Sequence, residues 1–277
     1  MRRWILLAAL WLSAVTPACA VQPAPPQRIL FVGNSLTYYG NLPATFAALA
    51  QANGHAVEAE MILEGGATLS ERLADGNVQT ALAGRRPQVL VLQERGGDLL
   101  CLGGRQRCEQ SQHALQVLAE AARTVQARVL VLGTYQANAQ ASAALVEKER
   151  DAARQAGAEY IEISQTLAGL SQRLPELQWY AEDGMHPGPA LTLLDAIKLH
   201  HALYGMPEAR TLEIDAPRYG ANSGLQAVLR RADAAAPNAG TPPHIHYEHA
   251  QVERLVRALD RATRATAPAP ATPSSAH

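Results

Sequence analysis

The sequence predicts an α/β fold, with three layers (α/β/α) and a central, mostly parallel, five-stranded sheet of the flavodoxin-like kind. Three observations predict it. "QVLVLQ" (88–93) and "RVLVLG" (128–133) are near-continuous apolar runs, as strands covered on both faces must be. Segments with helical spacing of apolar residues separate such runs. Strand and helix then alternate along most of the chain, which is the pattern of a parallel sheet built from crossover units.

Taken in order, "RILFVG" (28–33) reads as a buried strand. A helix follows over 43–53, with proline in its first turn and Gly54 just past its end. "AVEAEMI" (56–62) alternates apolar and polar residues, as a half-exposed strand does. The third strand is 88–93, then comes a helix over 110–126, the fourth strand at 128–133 and a helix over 142–155. "EYIEI" (159–163) reads as the fifth strand, and 191–204 as an apolar helix. From Pro207 to Pro243 the sequence is irregular, with scattered Pro, Gly and Asn. Val252, Leu255, Val256 and Leu259 then share one helical face that can dock on the domain. The Ala/Pro/Thr/Ser tail over 265–277 reads as disordered.

The N-terminal residues bear on the protein's destination. Met1-Arg2-Arg3, a short apolar run over 4–15 and the small residues Ala18-Cys19-Ala20 read as a secretory signal over 1–20, with a mature start at Val21. The apolar run is too short to span a bilayer. A lipoprotein anchored through Cys19 is the rival reading, which Thr16-Pro17-Ala18 fit poorly. Export to the periplasm or beyond makes Cys101 and Cys108 a disulfide pair stapling a short loop. The domain proper then runs over 21–264, with a C-terminal extension from about 207. At 277 residues, 48% hydrophobic and 18% charged, the chain suits one domain with a full-sized core. A formal net charge of -1 and the lack of any basic run argue against nucleic acid as a partner. No later segment reads as a membrane helix.

In a parallel sheet, sites form at the carboxyl ends of the strands. Ser35 stands just beyond the first strand, in "FVGNSLTYYG". By itself it reads more readily as a turn or capping serine. The second strand leads into "EGGATL", where glycines let a backbone N–H approach a ligand. Gln93 ends the third strand and offers an uncharged amide. "AEDGMHPGP" brings Asp183 and His186 within three residues, so that the carboxylate can fix the imidazole tautomer. A hydroxyl, N–H groups, an amide and an Asp–His pair are the parts of an acyl-transfer site.

These residues resemble the SGNH hydrolases, also called GDSL esterases and lipases, and within them a bacterial branch with little assigned function. The resemblance runs from Arg28 to about Tyr204. "GNSLT" is similar to the nucleophile block, with Asn34 where Asp is usual, which implies Ser35 as nucleophile. "GGATL" resembles the second block and implies Gly66 as an oxyanion donor beside the Ser35 N–H. "DGMHP" resembles the last block and implies Asp183 and His186 as the rest of the triad. The third block departs from the family's Gly-x-Asn-Asp: here the strand ends in "LQE", and Gln93 is expected to supply the oxyanion amide. The resemblance implies a serine esterase or deacylase acting on a small-molecule or carbohydrate ester, with no cofactor; a non-catalytic carbohydrate-binding protein on the same scaffold is the alternative.

The remaining candidates have plainer readings. His244, His246 and His249 cluster in "HIHYEH", but metal binding would want a fourth ligand and a rigid fold, and in a Pro-rich loop no metal is expected. Glu94 and Asp98 could line the pocket, but read rather as solvated or paired surface carboxylates. Trp179 and Tyr180 read as packing residues or as part of an acyl or sugar site.

Overall fold

The structure, a computed structural model, describes residues 25–136, 138–220, 223–235 and 244–266. The expected leader at 1–20 lies outside the described residues, as does most of the expected tail.

The five predicted strands are present: β1 (Gln27–Gly33), β2 (Val57–Leu63), β3 (Val89–Leu92), β4 (Arg128–Leu132) and β5 (Glu159–Ile161). They pair in parallel in the order β5-β4-β3-β1-β2. The chain first builds outward from β1 to β2, then returns to β1's other side with β3. That reversal leaves a crevice between the carboxyl ends of β1 and β3, where doubly wound sheets place their ligands.

Strand periodicity divides the core into two layers. Ile29 and Phe31 of β1 face one side of the sheet, and Leu30 and Val32 face the other. The first side packs against α2 (Leu42–Ala52) and α8 (Pro189–Tyr204), through Phe46, Leu49, Leu193 and Ile197. The second side is covered by α4 (Asn77–Arg85), α5 (Arg105–Thr124) and α6 (Ala139–Gln155), through Val78, Leu115, Leu118 and Ala153. Such strands, buried on both faces, have no polar alternation, which is why they are conspicuous in the sequence. Between the large helices lie α1 (Ser35–Tyr38), α3 (Leu69–Ala74) and α7 (Ser164–Arg173).

The stretch read as irregular from Pro207 contains strands. β6 (Leu212–Asp215) pairs antiparallel with β8 (His244–Tyr247) as a separate small sheet. β7 (Arg230–Arg231) adds antiparallel to β2 and makes the main sheet six-stranded. These strands are two to four residues long and pair with distant partners, so local propensity carries little sign of them. α9 (His249–Thr266) follows, two residues longer than the sequence suggests. Its Val252, Leu255 and Leu259 are buried in the first core layer, and Val256 packs at the layer's edge. Cys101 and Cys108 form a disulfide that ties a 3-10 turn (Asp98–Leu100) to the first turn of α5. Among the described residues, no helix is long and apolar enough to cross a membrane.

Candidate active site

Ser35 owes its position to a crowded strand end. A Cβ on Gly33 would come within 2.5 Å of Thr37 Oγ1 and 3.0 Å of the Gln93 carbonyl oxygen, so β1 can turn this closely against β3 only at glycine. Asn34, buried, caps α1: its Oδ1 accepts from the Leu36 N–H at 3.1 Å. Its Nδ2 donates to the Gln93 carbonyl at 3.4 Å. An aspartate here could accept the first bond but not donate the second, which gives a physical reason for the departure at this position. Ser35 is therefore the first residue of a capped helical turn, half-buried, and lines a cleft of ≈ 830 Å³.

The Asp–His pair is built by a tight turn. Asp183 Oδ1 accepts from the backbone N–H groups of Met185 and His186, each at 2.9 Å. Its Oδ2 lies 2.7 Å from His186 Nδ1. The His186 N–H, the Met185 N–H and the imidazole together hold the Asp183 carboxyl down to about 2, so it is an ionised acceptor. Nδ1 must then carry the hydrogen, leaving Nε2 as the basic nitrogen. Tyr39 stacks on the imidazole, with ring centroids 4.4 Å apart and planes 10° apart. Tyr135 Oη donates to the Met185 carbonyl at 2.7 Å and fixes the turn from the β4 side. Burial pushes the Tyr135 phenol well above its ordinary value, so it remains a donor. Ser35, Gly66 and His186 line the same cleft, with Tyr135, Tyr180 and Met185 forming its walls.

The Gly66 loop is held from the end of β3. Gly66 has φ +70°, a left-handed conformation suited to glycine, and a Cβ there would meet nothing within 4 Å. The Arg95 guanidinium donates to the Gly66 carbonyl at 3.3 Å and is itself clamped by both oxygens of Asp98, at 2.9 and 3.0 Å. Glu94 accepts from the Leu69 N–H, at 3.2 and 3.3 Å from its two oxygens, and from the Arg95 N–H at 2.8 Å. Both carboxylates are buried rather than solvated, contrary to the surface reading. For Glu94, burial outweighs these bonds and raises the carboxyl to about 7.

Gln93 is placed differently from the expectation. Its side chain is buried and turned along the strand tips, not into the cleft. Nε2 donates to the Gly133 carbonyl at 3.2 Å, and Oε1 accepts from Thr37 Oγ1 at 2.7 Å. Both ends of the amide have protein partners and Gln93 is not among the cleft-lining residues, so the structure does not turn this side chain towards the expected oxyanion role. Trp179 packs in the core with its indole N–H on the Leu174 carbonyl at 2.9 Å, whereas Tyr180 faces the cleft. Sequence reasoning passed over Tyr39, Tyr135 and Arg95. Tyr39 lies in the quoted nucleophile stretch, but only the fold brings its ring onto His186.

No cluster of metal-ligating side chains occurs among the cleft-lining residues; among the described residues such a group stands at Glu213, His244 and His246. His249 is not part of it.

A serine thus stands at the β1 tip and an Asp–His turn precedes α8 in a doubly wound sheet. No family model matches the chain, and no curated protein matches it in sequence. Solved structures do. A protein from Slackia heliotrinireducens assigned to the SGNH hydrolases is 26% identical, with a TM-score of 0.55 over 65% of this chain and 100% of that one. TesA is similar in fold at 22% identity and TM-score 0.51, over 64% and 98% of the two chains. So is a mutant of Axe2, an acetyl-xylooligosaccharide esterase from a Geobacillus, at 14% identity and TM-score 0.52, over 64% and 94%. The chain belongs to the SGNH hydrolase superfamily.

Proposed function

We propose that this protein is an exported serine esterase or deacylase that hydrolyses carboxylic esters, including O-acetyl groups on carbohydrate, through an acyl-enzyme on Ser35. The observation that carries the reading is the Asp183–His186 pair at 2.7 Å, opening onto the cleft that also holds Ser35 and Gly66.

His186 Nε2 accepts the Ser35 proton as Oγ bonds to the ester carbonyl carbon, and Asp183 balances the charge that forms on the imidazole. The first N–H groups of a helical turn have no intrahelical acceptor, so the Ser35 N–H can serve the oxyanion together with that of Gly66. The imidazolium returns its proton to the leaving alcohol as the carbonyl re-forms, giving the acyl-enzyme. Water, deprotonated by the same Nε2, then adds to the acyl carbon, and Ser35 leaves with the proton. Every proton moves through one imidazole, and no cofactor enters.

The tyrosine-rich walls support a sugar or aryl group on the alcohol side, because aromatic faces pack on flat apolar surfaces while their hydroxyls satisfy polar edges. Export rests on the Met1-Arg2-Arg3 leader pattern, and the disulfide suits an oxidising compartment. The test is covalent labelling with a fluorophosphonate probe, alongside hydrolysis of acetylated sugars and aryl esters of graded chain length. Ser35→Ala is expected to abolish both. Sugar binding without labelling or turnover by the wild-type protein would favour the non-catalytic carbohydrate-binding reading instead.

A further inference from the structure

We propose that Glu213, His244 and His246, none of which lines the Ser35 cleft, form a binding site for a divalent transition metal of the Zn2+ class on the outer face of the β6–β8 sheet. The face is fixed by strand periodicity. In β6, Leu212 and Ile214 are buried while Glu213 and Asp215 are exposed; in β8, Ile245 and Tyr247 are buried while His244 and His246 are exposed. The antiparallel register sets Glu213 opposite His246 and Asp215 opposite His244. All four polar side chains therefore stand on one side of a small sheet whose other side is anchored in the core.

The ligand atoms of Glu213, His244 and His246 lie within 4.8 Å of one another. His244 Nε2 is 2.7 Å from one Glu213 oxygen, and His246 Nδ1 is 2.6 Å from the other. Two imidazole nitrogens thus converge on one carboxylate, and small side-chain rotations would let a single cation replace the protons between them. The other nitrogen of His246 is also specified: Nε2 lies 2.8 Å from Glu248 Oε1. Both nitrogens therefore face carboxylates; once a cation replaces the Nδ1 proton, Glu248 keeps the N–H on Nε2 and Nδ1 becomes the lone-pair donor, the arrangement by which metal-ligating histidines are oriented. Two imidazoles and a carboxylate suit Zn2+, Ni2+ or Cu2+ rather than Mg2+ or Ca2+, which prefer all-oxygen sets. Asp215 stands on the same face, opposite His244, outside the three-residue group. The histidine spacing alone did not reveal this site, because its carboxylate comes from a position 31 residues before His244.

The experiment uses the untagged mature protein after chelation and dialysis, at about pH 7.5, where free histidine is largely neutral. Zn2+ is titrated by calorimetry and Co2+ by its visible absorption. One ion per chain is expected to bind saturably, and Mg2+ is not. Glu213→Gln and His246→Ala should each weaken binding by about tenfold or more. His249→Ala should leave it unchanged, since that residue lies outside the cluster. All the substituted side chains are exposed, so circular dichroism and melting in the metal-free state should match wild type; any variant that fails this check is replaced by His244→Ala. Absence of saturable binding would overturn the proposal, as would full binding by the His244→Ala/His246→Ala double variant.

Discussion

Gln93 Nε2 donates to the Gly133 carbonyl at 3.2 Å and so joins the tips of β3 and β4. The same amide accepts from Thr37, two residues after Ser35, at 2.7 Å. A shorter Asn would fall short of one partner or the other. Gln93 is thus a positioning residue, a bracket across three strand ends. The consequence for mutagenesis differs from that of an oxyanion donor. Gln93→Ala should leave the Thr37 hydroxyl and the Gly133 carbonyl unpaired in a buried setting, at a cost of about 1–3 kcal/mol. Its melting temperature should drop by several degrees, and its rate of fluorophosphonate labelling should fall with it. A variant with unchanged melting but a large loss of kcat would restore the oxyanion assignment.

Asp183 is an acceptor only, and it fixes which nitrogen of His186 is basic. Asp183→Asn keeps the shape but presents an amide that can donate to Nδ1, favouring the wrong tautomer. We expect kcat to fall by about four orders of magnitude. Substrate binding should change little, because Asp183 does not line the cleft. A steady-state comparison of kcat and KM for one aryl ester decides it; a loss confined to KM would speak against the triad.

The fold and the site were unequally legible. β1, β3 and β4 are central strands whose long-range environment is uniform, so their apolar runs are read directly. The position of Ser35 at the β1 tip and the pairing of Asp183 with His186 before α8 were legible because each lies in a short polar motif beside an apolar element. Gln93 was placed at the correct strand tip but given the wrong direction. Sequence position sets where a side chain starts, whereas its rotamer depends on partners such as Gly133 and Thr37, which lie 40 and 56 residues away. β6 and β8 were missed for a related reason: four residues carry too little periodicity to announce a strand, and their pairing spans some thirty positions.

Tyr135 is expected to affect the reaction without touching the triad. Tyr135→Phe keeps the ring in the cleft wall and removes only the bond to the Met185 carbonyl. The Asp183–His186 turn should then sample misaligned positions. Since small misplacements of a reacting group are costly, kcat should drop about tenfold. KM for small aryl acetates should hold. Equal loss with Tyr135→Ala and Tyr135→Phe would support the hydroxyl as the active part, whereas an unaffected Phe variant would reduce Tyr135 to a wall.

The disulfide gives a separate stability test. Cys101 and Cys108 close a seven-residue separation. For a loop of that size the chain-entropy model predicts about 2–3 kcal/mol of stabilisation. Cys101→Ser/Cys108→Ser should therefore melt several degrees lower, yet retain labelling at Ser35, since neither cysteine lines the cleft. Peptide mapping of the exported wild-type protein without reductant should show the crosslink, and intact mass should place its N-terminus at Val21. Free thiols in that sample would count against both the staple and the compartment; a lipid-modified Cys19 would favour the anchored form.

Glu94 makes stability depend on pH in the sense opposite to most carboxylates. Burial raises its folded value to about 7, above the ordinary 4.5, although three partners favour the charged form: the Arg95 N–H, the Ser111 hydroxyl and the Leu69 N–H. Between those values the folded protein holds a proton that the unfolded chain releases. Its contribution is thus present in full below about pH 4.5 and is lost as pH rises through about 7. Glu94→Gln keeps an acceptor for the Leu69 and Arg95 N–H groups and never ionises. The variant should therefore match wild type near pH 4.5 and become progressively more stable than it towards neutrality, with the gap levelling off above about pH 8. Other titrating groups are common to both proteins, so the difference in melting temperature isolates Glu94. Because Glu94 also holds the start of α3 behind Gly66, the variant's kcat should lose pH dependence in the same interval if ionisation loosens that loop. Parallel melting curves at every pH would show that Glu94 stays in one protonation state, and the pH argument would fail.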